Sequence, residues 1–242
     1  MNQTLRSAEE IDLAATRKTA RVAGFAYFVF ALISVFTFIW LPSQVVVSGD
    51  AAATARNIAT SDFLLRLSLA GTLVAMTLFV FVVLTLYRLF KNIDRGAAMH
   101  MVTFVVIGVT ATVVDIFNSL AALVLLSGAD FLAVFEKAQL ESFAYAFLRL
   151  HTQASNVIGV FWGLWLFPFG LLVVKSGFIP RSFGVLLWIA GFGYVLNSIV
   201  TLLLPQYGPT AAQLTSPLLL GELPVIFWLM IVGARRRSAG SA

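Results

Sequence analysis

From Val22 to Leu41 the chain runs for twenty residues without one charged side chain. At 1.5 Å per helical residue such a run is about 30 Å long, the thickness of the hydrocarbon core of a bilayer. Runs of this kind recur down the chain, and no other feature restricts the fold as strongly. The reading is an all-α polytopic membrane protein with six transmembrane helices, over 22–41, 63–90, 97–127, 143–174, 183–204 and 217–233. These helices form one domain, 22–233, preceded by a polar segment 1–21 and followed by a basic tail 234–242. Composition agrees: 60% of the 242 residues are hydrophobic and 11% charged, against about 25% charged in an ordinary soluble domain. The first run resembles a signal peptide in its basic flank, but it is long enough to span and no A-x-A-like cleavage site follows it.

Helix ends are marked by local chemistry. Ser7 and Glu10 have the spacing of a capping box in the N-terminal segment. Residues 42–62 read as a loop that closes on Ser61-Asp62, an N-cap for the second helix. Pro168 predicts a kink in the fourth. Residues 205–216 read as an uncharged turn, with Ser216 as N-cap and Pro217 as the first residue of the sixth helix.

Orientation follows from the basic residues. With the N-terminus inside, twelve of the sixteen Lys and Arg fall on the cytoplasmic side: Arg6, Arg17, Lys18, Arg21, Arg88, Lys91, Arg95, Lys175, Arg181 and Arg235 to Arg237. Arg56, Arg66, Lys137 and Arg149 fall on the other. This bias predicts both termini in the cytoplasm, N-in and C-in. It also explains the net charge of +5 as small clusters at helix ends, so no nucleic-acid partner is expected; the partner is the lipid bilayer.

Chemistry-bearing residues are few. The chain has no cysteine, which removes disulfides, thiolate metal sites and Cys nucleophiles, and its two histidines cannot make a His-rich metal site. No metal or cofactor is expected. An ionisable side chain inside hydrocarbon costs a few kcal/mol unless paired, which makes such residues the leading functional candidates. Asp115 lies about 21 Å into the third helix and Glu222 about 7 Å into the sixth, both in the outer third of the membrane. Thr112, Asp115, Asn118 and Ser119 share one face of the third helix, and Tyr194, Asn197, Ser198 and Thr201 one face of the fifth. Arg149, Gln153 and Asn156 share a face of the fourth, and Arg66 enters the second. Pro224 leaves the Leu220 carbonyl without its helical donor beside Glu222.

The expectation is one polar cavity open to the outside. Asp115 and Glu222 would be balanced there by Arg66 and Arg149, with Asn118, Gln153, Asn156, Tyr194 and Asn197 as further ligand-binding residues. Plainer readings stand beside it: Arg66 paired with Asp62, Arg149 reaching to lipid phosphate, and the amides joining helices. His151, about 160° around its helix from Arg149, falls outside the proposed cluster, and His100 is given no role. The aromatic run Phe161, Trp162, Trp165, Phe167 and Phe169 reads as packing.

Four stretches carry a family likeness: RKTARVAG at 17–24, FWGLWLFPFG at 161–170, KSGFIPRSFGVLLWIAG at 175–191 and GELP at 221–224. In these, and in their order, the chain resembles a bacterial membrane family catalogued as domain of unknown function 4386. The resemblance implies a multi-helix protein of the bacterial cell membrane without an assigned activity, and it lends no site residues. Three functions follow. The first is a small-molecule or ion transporter or sensor with its polar site in the outer half of the bundle. The second is a structural or accessory subunit, in a homo-oligomer or with a partner. The third, a membrane-embedded hydrolase, lacks an HExxH or GxSxG motif or a His–carboxylate pair at helical spacing.

Overall fold

The computed structural model describes the side chains of residues 14–234 and the helical backbone from Asn2. The proposed Ser7–Glu10 capping box and the side chains of the terminal arginine triplet lie outside the described residues. Within them the chain is helical with no strand. Six helices are long and apolar enough to cross a membrane: α1 (Ala14–Val45), α2 (Ala51–Phe90), α3 (Arg95–Leu125), α4 (Lys137–Ser176), α5 (Arg181–Leu203) and α6 (Pro205–Ile231). Large apolar side chains such as Phe25, Phe63, Phe81, Phe117 and Phe192 are exposed on them, as expected where the solvent is lipid. The protein is an integral membrane protein.

Several helices begin or bend where the sequence suggests otherwise. Residues 51–62, read as loop, are helical. Asp50 caps them, its Oδ1 accepting the Ala53 N–H at 2.8 Å, and Ser61 (φ −146°, ψ 42°) breaks the helix in the place expected for a cap. Residues 205–216 are helical too, so Ser216 and Pro217 sit inside a helix. The Ser216 hydroxyl donates to the Ala212 carbonyl at 2.5 Å, which satisfies it without a cap. The Leu220 carbonyl is not left free beside Glu222: a 3₁₀ turn over Leu220–Glu222 brings the Leu223 N–H to it. In α1 the backbone widens into a π turn over Val35–Trp40 ahead of Pro42, and the Leu41 N–H reaches back five residues to Phe36. This is how the helix accommodates a residue with no N–H of its own. α4 breaks at Trp165, ahead of Pro168, and ends on Gly177, whose φ of +72° needs glycine.

Packing divides the chain into two compact units. Unit 1 comprises the chain up to Val29, Leu78–Gly108 and the chain from Gly159. Its centre is aromatic: Trp165 stacks on Phe169 (centroids 5.2 Å apart) and meets Phe79 edge-on (5.3 Å), with Tyr27 against both Phe79 and Trp165. Glycines admit close helix approach there. A Cβ on Gly163 would fall 2.6 Å from the Gly191 carbonyl oxygen, so α4 and α5 touch backbone to backbone.

Unit 2 comprises Phe30–Thr77 and Val109–Ile158. Its apolar cluster joins Val45, Ile58, Leu65, Leu69, Ile116, Ala122, Leu123, Ala144 and Leu148. Beside that cluster lie the buried hydroxyls of Thr37, Ser68, Thr72 and Ser119.

Candidate functional site

Unit 2 contains a cavity of about 390 Å³. Segments of four helices contribute to it: Thr37 and Ser43 from α1, Ser68 and Thr72 from α2, Thr112 and Ser119 from α3, and His151, Thr152 and Ser155 from α4. The lining carries no Lys, Arg, Asp or Glu; His151 is its one titratable side chain.

Asp115 stands directly behind the histidine. It is 5% exposed, and both carboxylate oxygens are engaged. Asn118, one turn on, donates Nδ2 to Oδ1 at 2.7 Å. Ser155 donates its hydroxyl to Oδ2 at 3.3 Å. His151 places Nδ1 2.7 Å from the same Oδ2. That is ion-pair distance, off the line of an N–H hydrogen bond, since the Nδ1 atom is buried and lacks an aligned acceptor. With Nδ1 held against the carboxylate, Nε2 is the ring nitrogen left to address the cavity, and about one third of the His151 side chain is exposed. The negative charge beside Nδ1 favours the ring proton on that nitrogen over Nε2. A serine nucleophile would need its hydroxyl on the imidazole; Ser155 and His151 both address the carboxylate instead, so these three are not arranged for acyl transfer.

Four hydroxyls of the lining share a further property. Thr37 donates to the Ile33 carbonyl (3.0 Å), Ser68 to Thr37 (2.7 Å), Thr72 to Ser68 (2.8 Å) and Thr152 to Leu148 (3.1 Å). Their protons are spent on backbone carbonyls, and what they offer to a solute is oxygen lone pairs.

Unit 1 holds the second intramembrane carboxyl. Glu222 accepts a hydrogen bond from the Tyr27 hydroxyl, and Tyr194 is its second hydroxyl partner. Tyr27 is 2% exposed. Among the described residues Glu222 makes no ion pair. Asn197 and Ser198 follow Tyr194 on α5, and their Oδ1 and Oγ are buried without hydrogen-bond partners. Ser198 faces Gly159, where a Cβ would lie 2.6 Å from its oxygen.

The expected residues therefore separate. Asp115 and Asn118 come together with His151, the residue that the helix-face argument set aside. Glu222 and Tyr194 come together with Tyr27, which carries no sequence signal beyond being a tyrosine in an apolar run. The two cations do not balance these carboxylates. Arg66 pairs with Asp62 at 2.9 Å with both side chains more than half exposed. Arg149 is exposed and makes no ion pair among the described residues, and Gln153 is exposed while Asn156 is half-buried. Lysine and arginine stems are long enough to carry their charge to water, and at the ends of spans they do so. Among the described residues no group of three His, Asp or Glu could hold a metal ion.

Outside the spans, Asp94 caps α3 through the Ala97 N–H (3.0 Å) and pairs with Lys175 (2.6 Å). That backbone hydrogen bond, followed by Lys175, holds its carboxyl below the usual aspartate range.

A family model described as Domain of unknown function (DUF4386) matches residues 22–233. An uncharacterized protein of Archaeoglobus fulgidus is 33% identical over 76 residues, which cover 31% of this chain and 44% of that protein. No solved structure matches.

Proposed function

Because this chain belongs to the family described as Domain of unknown function (DUF4386), whose description carries no activity, we propose its function from geometry: unit 2 binds a small polar solute inside the membrane, as the recognition site of a transporter or ligand sensor. One observation carries this reading. A hydroxyl-lined cavity of about 390 Å³ sits within membrane-spanning segments, with His151 presented to it by a buried carboxylate. Burying Asp115 in such a place costs free energy that lipid-facing packing alone would not demand, and a cavity with a few convergent polar groups is what a small-molecule site requires.

Both termini are placed in the cytoplasm in this reading, because twelve of the sixteen Lys and Arg then lie on that side. The cavity then lies in the outer half of the cell membrane, since Asp115 is past the midpoint of the 31-residue α3, toward its Leu125 end.

The test is solute-dependent stabilisation. The purified full chain is screened with small polyols, amines and amino acids, and the unfolding transition is followed. At least one solute should raise the transition, and Thr72→Leu, which removes a lining hydroxyl and fills space, should abolish the rise. If no solute stabilises the protein, or if Thr72→Leu leaves the response intact, the cavity is not the recognition site.

A further inference from the structure

The cavity in unit 2 says more about its ligand than that it is polar. We infer that it binds a small organic ammonium ion, and that this cation and the proton on His151 replace one another. The inference rests on the binding-site reading above and specifies it by charge and by hydrogen-bond direction.

Charge comes first. Asp115 is buried, and a carboxylate in that position needs a compensating positive charge. The other cations of unit 2 are committed elsewhere: Arg66 to Asp62, Lys137 to Glu141, with Arg56 and Arg149 exposed. None of them lines the cavity. The remaining acids are outside it as well: Asp50 caps α2, Asp62 and Glu141 are paired, and Asp130 and Glu136 lie in the segment between α3 and α4. From α1, α2 and α3 the cavity receives only hydroxyl and apolar side chains. The positive charge beside Asp115 therefore comes either from protonated His151 or from the solute. With His151 protonated the pair is neutral and Nε2 is a donor; with His151 neutral the site carries one negative charge and Nε2 is an acceptor. Only the second state attracts a monovalent cation, so its binding expels the proton.

Hydrogen-bond direction gives the same answer independently. Thr37, Ser68, Thr72 and Thr152 have their protons on backbone carbonyls, and Ser155 has its proton on Asp115. Five hydroxyls thus face the cavity as acceptors, and neutral His151 adds a sixth acceptor. A carboxylate or phosphate would face these lone pairs, with the hydroxyls of Ser48 and Ser119 as the lining groups able to donate to it. An ammonium group, which is all donors, is complementary to such a lining.

Three probes of nearly equal size separate the possibilities: ethanolamine, ethylene glycol and glycolate, which differ in one terminal group. Binding to the purified full chain is measured calorimetrically in buffers of different ionisation enthalpy, from acid to neutral pH, so that protons released are counted. Ethanolamine should bind at least about tenfold more tightly than ethylene glycol, a preference of about 1.4 kcal/mol. Glycolate should bind most weakly. Ethanolamine binding should release protons increasingly as the pH is lowered, up to about one per molecule bound.

His151→Gln keeps an acceptor in place of Nε2 and cannot titrate. It should still bind ethanolamine, with the proton release gone. Asp115→Asn should lose the preference for ethanolamine; if that variant does not fold, the loss of proton release in His151→Gln still decides the exchange. Ethylene glycol binding as tightly as ethanolamine, ethanolamine binding without proton release, or release persisting in His151→Gln would each overturn the inference while leaving a polar-solute site standing. If none of the probes binds and the wider solute screen is also silent, the binding-site reading itself fails.

Discussion

The Asp115–His151 pair makes a prediction that can be worked to a number. At an effective dielectric constant of about 20, unit charges some 4 Å apart attract by about 4 kcal/mol. Desolvation takes back much of that, more at Asp115, which is 5% exposed, than at His151, a third of whose side chain remains open. Breaking a fully buried ion pair costs about 3–5 kcal/mol, and partial exposure of the histidine places the coupling of this pair below that, at about 1.5–2 kcal/mol. Neutral hydrogen bonds between membrane helices give a useful contrast: their coupling averages about 0.6 kcal/mol. A double-mutant cycle decides between them. Wild type, Asp115→Asn, His151→Gln and the double variant are unfolded reversibly in mixed micelles, and the interaction energy is taken from the four stabilities. Asp115→Asn is isosteric, and the loss of the imidazole ring in His151→Gln is common to both arms of the cycle and cancels, so the cycle reports the pairing. A coupling near 0.6 kcal/mol or below would show that no ion pair forms, and would remove the charge argument from the cavity. Deleting the carboxylate outright with Asp115→Ala should cost more, about 3–5 kcal/mol, because His151 loses its counter-charge while Asn118 and Ser155 lose their acceptor.

Four further outcomes follow from other parts of the molecule. Tyr27→Phe keeps the ring against Phe79 and Trp165 and removes the donor to Glu222; the unfolding free energy should fall by about 1–2 kcal/mol, and most of the loss should vanish when Glu222→Leu is already present. Gly163→Ala forces a methyl to within 2.6 Å of a backbone oxygen on α5, and thermal unfolding should register a loss of about 1–3 kcal/mol. Asp94 has its folded value depressed, so its stabilisation is present above the ordinary aspartate range and is lost as pH falls through the lowered value; Asp94→Asn should flatten the acid side of a plot of unfolding midpoint against pH. On α4, Gln153→Leu on the exposed face should change stability by no more than about 0.5 kcal/mol, whereas Ser155→Leu, at the Asp115 contact, should cost at least about 1 kcal/mol.

The six helices were legible because length in hydrocarbon is a one-dimensional property: a run either reaches across or does not. Their ends were less so. Residues 205–216 carry prolines, a glycine and no charge, a composition that serves a turn in water and a helix against α5 equally well. A neighbouring helix supplied the difference. Glu222 was recognisable as a buried carboxyl, but its partner Tyr27 lies nearly two hundred residues away, and a tyrosine in an apolar run has many reasons to be there.

The site in unit 2 shows where helix-face reasoning goes astray in a membrane. The angle between Arg149 and His151 was read correctly as roughly opposite faces of α4; the inward face was then assigned to the stripe with the larger polar groups. The inward face is the other one. Ala144, Leu148 and Ile158 are buried along it, and His151, Thr152 and Ser155 continue it into the lining of the cavity, which Arg149 and Gln153 do not join. Length of side chain is what distinguishes the two stripes. A long polar group loses several rotors when buried and can instead extend toward headgroups and water. A short hydroxyl loses almost nothing, because the carbonyl four residues back takes its proton within the same helix. Thr37, Thr72 and Thr152 each do this, and Ser155, whose proton goes to Asp115 instead, sits on the same stripe. On α4 the stripe of short hydroxyls is the one that reaches the cavity; exposure does not tell the stripes apart, since Thr152 and Ser155 are exposed as Arg149 and Gln153 are, and Asn156 is half-buried. By that criterion Asp115, flanked at i−3 and i+4 by Thr112 and Ser119, points to the hydroxyl-bearing face of α4, and His151 is the titratable residue on that face.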